Sequence, residues 1–432
     1  MFTYYLNLAL RSLRRNPVLT ALMVLSIGLG IGASMTTLTV LHVLSGDPLP
    51  GRSAHLFYPQ IDPRDMNGYD PHGEPPGQVS WTDGMNLLHA KRADRQALMT
   101  GGQLPVQPTR TNLDPFYVDA RYTTAGFFPM FGTPFEYGQS WTTAEDGAAA
   151  HVAVISSSLN NKLFDGKNSV GQTLRVDDAD LRIVGVMADW RPNPHFYDLY
   201  LGQYGENEDV FLPLSTSQDL KFAHSGSVDC WSTGGQGNMK TAPCTWLQLW
   251  VQLDTPAEVE SYKSFLNHYS QEQKSLGRFQ RPPNVRLRNL MQWLDYSHVV
   301  PGDVRLQTWL AFGFLLVCLV NTVGLMLAKF LRRSGEVSVR RALGAARHSV
   351  FAQFLIEAGV IGLAGGALGL VLALFGLWLV RQQPADYARL AYLDPGMLMI
   401  TFLLAIGATL LAGLLPAWRA CGVAPALQLK SN

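Results

Sequence analysis

Cys230 and Cys244, within "DCWSTGGQGNMKTAPC", are the residues best spaced for covalent chemistry. In an oxidising compartment two such thiols pair, and closing a loop of about 15 residues stabilises a fold by roughly 3 kcal/mol in chain-entropy terms. Two free thiols are the alternative, and two Cys alone are too few for a metal site. Asp177, Asp178 and Asp180 resemble a calcium cluster in type only, because a hairpin turn accounts for them. The ten His are dispersed, with no H-E-x-x-H spacing, and no G-x-S-x-G nucleophile elbow occurs. "FDGKNS" carries the Gly-Lys of a phosphate loop without the upstream glycine of GxxxxGK[ST]. Neither catalysis nor a metal or cofactor bound directly by this chain is expected.

The remaining polar residues of interest lie in or beside apolar runs. Asn321 and Glu357 interrupt two such runs, and an acid at membrane depth is a functional candidate by default. Glu357 is only about two turns from the end of its run. A structural role is expected for it, pairing with a nearby Arg or with unpaired helix N–H groups.

Between these runs stands "RRSGEVSVRRALGAARHSV". As a helix, Val339, Ala342, Leu343 and Ala346 fall at i, i+3, i+4 and i+7 and form one apolar stripe, with Arg340, Arg341 and Arg347 off it. Glu336 and Arg340 make an i,i+4 pair of favourable orientation, and Gly344 marks the helix end or a turn. Contact with anionic lipid headgroups explains the positive charge, but not the stripe. A docking element for a partner protein explains both.

These residues are positioned by four runs long enough to cross a bilayer, residues 18–44, 306–328, 350–380 and 396–417. Lipid offers no partners to backbone polar groups, so each run is expected to be a spanning helix. The first run also suits a signal peptide, but it exceeds the usual 7–15 residue apolar core and no convincing cleavage site follows, so a retained helix is expected. Gly28 and Gly32, Gly362 and Gly366, and Gly365 and Gly369 each form G-x-x-x-G and are read as close-packing positions within one chain or between two copies. Leu6, Leu10 and Leu13 beside a basic face suggest a short helix at residues 1–17 lying on the membrane surface.

The near-zero net charge of +1 hides two regimes. Residues 46–304 carry 20 Lys and Arg against 29 Asp and Glu, while the rest carries 14 against 4. Nothing in this balance favours nucleic acid. The basic excess lies before the first run and between the second and third, residues 329–349, which places both termini in the cytoplasm. Residues 45–305 are then outside, as is the short link 381–395, while the tail 418–432 is inside. The expected architecture is an α-helical membrane protein with four spans and a large extracytoplasmic α+β domain between the first two. In that domain residues 151–187 read as strand, short helix, strand, hairpin, strand; residues 245–254 as a strand; 256–275 as a helix; and "NVRLRNL" as a last strand. Residues 191–243, poor in periodicity and rich in Pro, Gly, Ser and Asn, read as an insertion.

Residues 332–374, "RRSGEVSVRRALGAARHSVFAQFLIEAGVIGLAGGALGLVLAL", resemble the signature of MacB-type and FtsX-like ABC transporter permeases. "ALRSLRRNPVLTALMVLSIGLGIGAS" resembles the start of that family. "ARYTTAGFFPMFGTPFEYGQSWTTAED" and "VAVISSSLNNKLFDGKNSVGQTLRVDDADLRIVGVM" resemble its outer domain, and "LLPAWRACGVAPALQLK" its tail. The resemblance implies a permease in the bacterial cytoplasmic (inner) membrane, working as a dimer with a second copy or a sister permease beside separate ATPase subunits that handle ATP and Mg. Residues 336–344, with Glu336, Val339, Arg340, Arg341, Leu343 and Gly344, would be the coupling helix, and movement passed to the outer domain (mechanotransmission) would drive export or efflux. A periplasmic adaptor and an outer-membrane channel would complete the path. The departure from MacB is the missing fused ATPase. A regulator of an extracytoplasmic partner such as a cell-wall hydrolase, and a tethered ectoenzyme, are the other classes left open.

Overall fold

The computed structural model describes residues 11–12, 15–108, 113–205, 207–232, 238–333, 335, 339–341, 343–384 and 386–422. The chain divides into two compact units, residues 1–45 with 300–432, and residues 46–299. The surface helix expected over residues 1–17 lies mostly outside the described residues.

Among the described residues, the first unit is built mainly from four long helices, Pro17–Ser45, Gly302–Leu331, Arg347–Arg381 and Pro395–Gly422. Each contains a stretch long and apolar enough to cross a membrane. They overrun the apolar runs at their ends because hydrogen bonding carries a helix past the last lipid-facing residue into polar sequence such as Gly302–Asp303. Pro17 opens the first helix, where its missing N–H has no intrahelical partner to lose. That helix packs chiefly on the second and third, and the fourth packs mainly on the third. Met23, Ile27, Ile31, Met326, Phe330 and Phe354 are buried between them. Trp309, Leu310, Leu316 and Val320 on the second helix face outward, as suits apolar side chains in lipid.

The second unit is α+β. Its thirteen strands, among the described residues, are β1 Leu56–Gln60, β2 Arg95–Val106, β3 Phe116–Thr123, β4 Phe135–Gly138, β5 Val152–Ser156, β6 Thr173–Val176, β7 Ala179–Met187, β8 Val210–Pro213, β9 His224–Ser225, β10 Asp229–Cys230, β11 Cys244–Thr245, β12 Gln248–Gln252 and β13 Arg286–Asn289. Eleven form one sheet in the order β13-β1-β12-β2-β3-β8-β5-β7-β4, with β6 on β2 and β7, and β9 on β2; β10 and β11 pair separately. β3–β8 and β5–β7 are parallel, and the other pairings in this sheet are antiparallel.

Local sequence explains the helices on this sheet. Thr255 and Glu258 exchange hydrogen bonds across the first turn of Pro256–Ser275, a capping box with Pro256 just inside it. Tyr262, Leu266 and Tyr269 are the buried face of that helix and join the sheet core. The hairpin at Asp177, which takes a positive φ of 50°, joins β6 to β7. Asp178 and Asp180 are its exposed acids, each within 4.0 Å of Arg175.

One expectation needs correction. Residues 191–243 are not simply an insertion: β8 lies inside this stretch and is hydrogen-bonded to β3 on one side and β5 on the other. All four of its residues are buried, so it shows a short apolar run in place of the alternation that marks a half-exposed strand. A second difference is the helix Leu290–Tyr296, which follows β13 directly and is capped by Asn289 with Gln292.

Candidate functional site

The basic stretch between the second and third spans is the site on which the sequence placed a docking function. Residues 339–341 are helical, and the turn ends as a Schellman motif. The Gly344 N–H donates to the Arg341 carbonyl at 3.1 Å and the Ala345 N–H to the Arg340 carbonyl at 3.0 Å, with Gly344 at φ 99°. That backbone angle is why a glycine stands there. Ala346 then precedes the helix Arg347–Arg381. Val339 and Leu343 are 52% and 83% exposed, so the apolar stripe points away from the rest of the unit. Arg340 and Arg341 are half-buried, and Arg340 Nη1 donates to Oε1 of the buried Gln353 at 3.3 Å. Glu336, expected to pair with Arg340, lies outside the described residues, as does Ala342.

Beside this stretch sits a buried ionic cluster. Glu357 and Lys329 are both fully buried, with Lys329 Nζ 2.6 Å from Glu357 Oε1. The ammonium lies off the hydrogen-bonding directions, so the contact is an ion pair. Arg333 Nη1 reaches Glu357 Oε2 at 3.3 Å and donates to Ser12 Oγ at 2.7 Å, and the Ser12 hydroxyl donates to Glu357 Oε1 at 2.5 Å. One carboxylate therefore ties residue 12, the end of the second span and the third span together. Phe330 and Phe354 stack beside it with centroids 4.2 Å apart. The sequence pointed to an Arg partner for Glu357; Lys329 and Ser12 were not named, because their pairing depends on how three helices meet.

The other residues singled out fall elsewhere. Asn321 Nδ2 donates to Ser26 Oγ at 3.1 Å, linking the second span to the first. A Cβ on Gly365 would sit 2.6 Å from Ile27, on Gly369 2.8 Å from Ile31, on Gly28 2.8 Å from Leu368 and on Gly32 2.7 Å from Leu372, so these four glycines set the closeness of the first and third spans. Gly362 and Gly366 face Thr409 and Ala405 on the fourth. All six contacts are within one chain. Cys230 and Cys244 are joined by a disulfide that closes across the β10–β11 pair.

The outer unit holds a cluster that the sequence did not disclose. Arg121 on β3 is fully buried; its Nη1 lies 2.6 Å from Asp198 Oδ2 and its Nε 2.9 Å from Glu208 Oε1. Tyr197 donates its hydroxyl to Glu208 Oε2 at 2.6 Å. Burial pushes the Glu208 carboxyl up, but Arg121 and His195 outweigh it and hold the group far below the usual carboxylate range. This network anchors part of residues 191–243 to the sheet. Among the described residues no three His, Cys, Asp or Glu side chains are grouped to hold a metal ion.

Comparison with known proteins gives these features a setting. The family described as MacB-like periplasmic core domain matches residues 20–267, and that described as FtsX-like permease C-terminal matches residues 309–425. The macrolide export ATP-binding/permease protein MacB of Azoarcus sp. (strain BH72) is 23% identical over 435 residues, covering 98% of this chain and 59% of that protein. The pyoverdine export ATP-binding/permease protein PvdT of Pseudomonas entomophila (strain L48) is 24% identical over 371 residues, 83% of this chain and 49% of that one. The chain thus spans about half to three-fifths of the length of these curated relatives. The crystal structure of the periplasmic region of MacB from Actinobacillus actinomycetemcomitans aligns over 59% of this chain and 97% of that one, at 11% identity and a TM-score of 0.37. With both family matches falling in order along one chain, the protein belongs to the MacB-like, FtsX-like family of ABC transporter permeases, multi-pass proteins of the inner membrane with a periplasmic domain.

Proposed function

We propose that this permease works with ATPase subunits carried on separate chains, which dock on residues 336–344 and supply ATP and Mg chemistry. Docking on that stretch requires both termini to be cytoplasmic, as the basic flanks predict. Closure of the ATPases would displace the docking stretch, and the spans would pass the displacement to the periplasmic domain, by mechanotransmission, to expel or hand over a ligand. The relatives named above are export proteins, which supports export as the direction. A second copy or a sister permease would complete the dimer, and an adaptor and outer-membrane channel would extend the path.

The observation that carries this reading is the outward-facing pair Val339 and Leu343 within a basic link. An apolar pair of this kind has no use for water and sits where a partner surface can cover it. Leu343→Asp and Glu336→Arg are expected to reduce co-purification of the ATPase in mild detergent while leaving the permease inserted in the membrane. Undiminished co-purification with both variants would sink the docking role.

A further inference from the structure

Gln353 stands on the third span, Arg347–Arg381, one helical turn before Glu357, so the two side chains share a face of that helix. Both are buried. Gln353 Oε1 accepts from Arg340 Nη1, which belongs to the basic link and not to the span. Thirteen positions separate the two residues, and the turn at Gly344 lies between them, so the hydrogen bond folds the link back onto the helix it is about to enter. Glu357 does the same for the start of the link. Its carboxylate meets Lys329 and Arg333, at the point where the chain leaves the second span. The link is therefore held near both of its ends by polar side chains one turn apart on the third span.

This arrangement bears on which way the apolar pair points. On the short helical turn Arg340 lies off the line of Val339 and Leu343. With the Arg340 side chain drawn inward to a buried amide, Val339 and Leu343 are left facing outward, where both are more than half exposed. We infer that Gln353 is a positioning residue for docking: by anchoring Arg340 it presents Val339 and Leu343 as a formed surface instead of a loose loop. The inference rests on the reading that the link docks an ATPase. Gln353, being buried, is out of reach of a docked chain and acts through Arg340.

Hydrogen exchange of the full chain in lipid nanodiscs, without any ATPase, tests the anchor. The reporters are the Leu343, Gly344 and Ala345 amides, which are hydrogen-bonded within the link. Gln353→Leu is expected to make them exchange about tenfold faster, the change that follows from losing one hydrogen bond to a charged group. Peptides from the second span should keep their wild-type rates. Gln353→Glu retains the acceptor and should restore slow exchange. Arg340→Met removes the donor from the exposed side and should reproduce the fast exchange, which keeps the test decisive if Gln353→Leu does not fold. In mild detergent, co-purification of the ATPase should fall in Gln353→Leu and recover in Gln353→Glu. Link exchange unchanged in Gln353→Leu and Arg340→Met, or accelerated equally in the second span, would overturn the anchor. Faster link exchange with undiminished ATPase would overturn the positioning role. Absence of ATPase from the wild-type preparation would instead sink the docking reading, and the exchange comparison would still decide the anchor by itself.

Discussion

Lys329 and Glu357 face each other across the second and third spans, their charged atoms 2.6 Å apart and neither side chain exposed. Burying such a pair costs several kcal/mol of desolvation per ion, so its presence adds little net stability. What it fixes is register, because one carboxylate meets Lys329, Arg333 and Ser12 at once. The consequences of removing its members are therefore unequal. Lys329→Met leaves Arg333 to balance Glu357, whereas Glu357→Gln removes the carboxylate from the fully buried Lys329. Glu357→Gln is expected to destabilise the bundle by about 3–5 kcal/mol, and Lys329→Met by clearly less. Unfolding of the purified chain in mixed detergent micelles, followed by circular dichroism, would measure both. Equal losses would contradict the cluster.

The spans and the sheet's alternating strands were readable from the sequence because each residue's environment repeats along the element, at 3.6 or 2.0 residues. Residues 191–243 were not readable for the converse reason. β8 is four residues long and wholly buried, so it has no exposed face to alternate with. The network it flanks joins Arg121 to partners 77 and 87 positions away, a distance no local pattern encodes. At the basic link the sequence named the exposed Leu343 and the third-span Glu357, and it was the meeting of three helix ends that brought Lys329 and Ser12 to the same carboxylate. The glycines show the same division. G-x-x-x-G announced close packing, while the partner of each, Ile31 for Gly369 or Thr409 for Gly362, depended on which helices meet.

That packing gives the next prediction. A Cβ on Gly369 would lie 2.8 Å from Ile31 Cγ2 and 3.3 Å from the Gly28 carbonyl oxygen, so Gly369→Ala must push the first and third spans apart. Overpacking of this kind costs about 1–3 kcal/mol. Gly324, on the second span, has nothing within 4 Å of the same position. Gly324→Ala is expected to be neutral or to gain up to about 1 kcal/mol from helix propensity. The two alanine variants, unfolded side by side in the same micelles, should shift in opposite directions or differ by at least the overpacking cost. Matching curves would show that the spans do not approach as closely as the glycines indicate.

Acidity supplies the last test, in the periplasmic unit. Burial pushes the Asp146 carboxyl up to about 6, against the opposing effect of its hydrogen bonds from Ala125 and Trp141. In the unfolded chain the same group titrates near its ordinary value of 3.8. The folded state therefore holds a proton that the unfolded state has released, and the stability this confers is lost as pH rises from about 4 to about 6. Glu208, held below the ordinary range by Arg121 and His195 despite its burial, works in the other direction, adding stability as pH rises toward its ordinary value of 4.5 and levelling off above it. The net curve of the wild-type protein thus mixes opposite slopes, and only a difference isolates Asp146. Asp146→Asn keeps the size of the side chain, cannot titrate and loses one of the two hydrogen bonds at every pH. Its melting temperature should fall furthest below that of the wild type at pH 4, and the gap should narrow by pH 7 as the wild-type carboxyl ionises. A gap that stays constant or widens over the same interval would mean that the carboxyl is ionised in the folded protein throughout, and that its surroundings are wetter than their geometry implies.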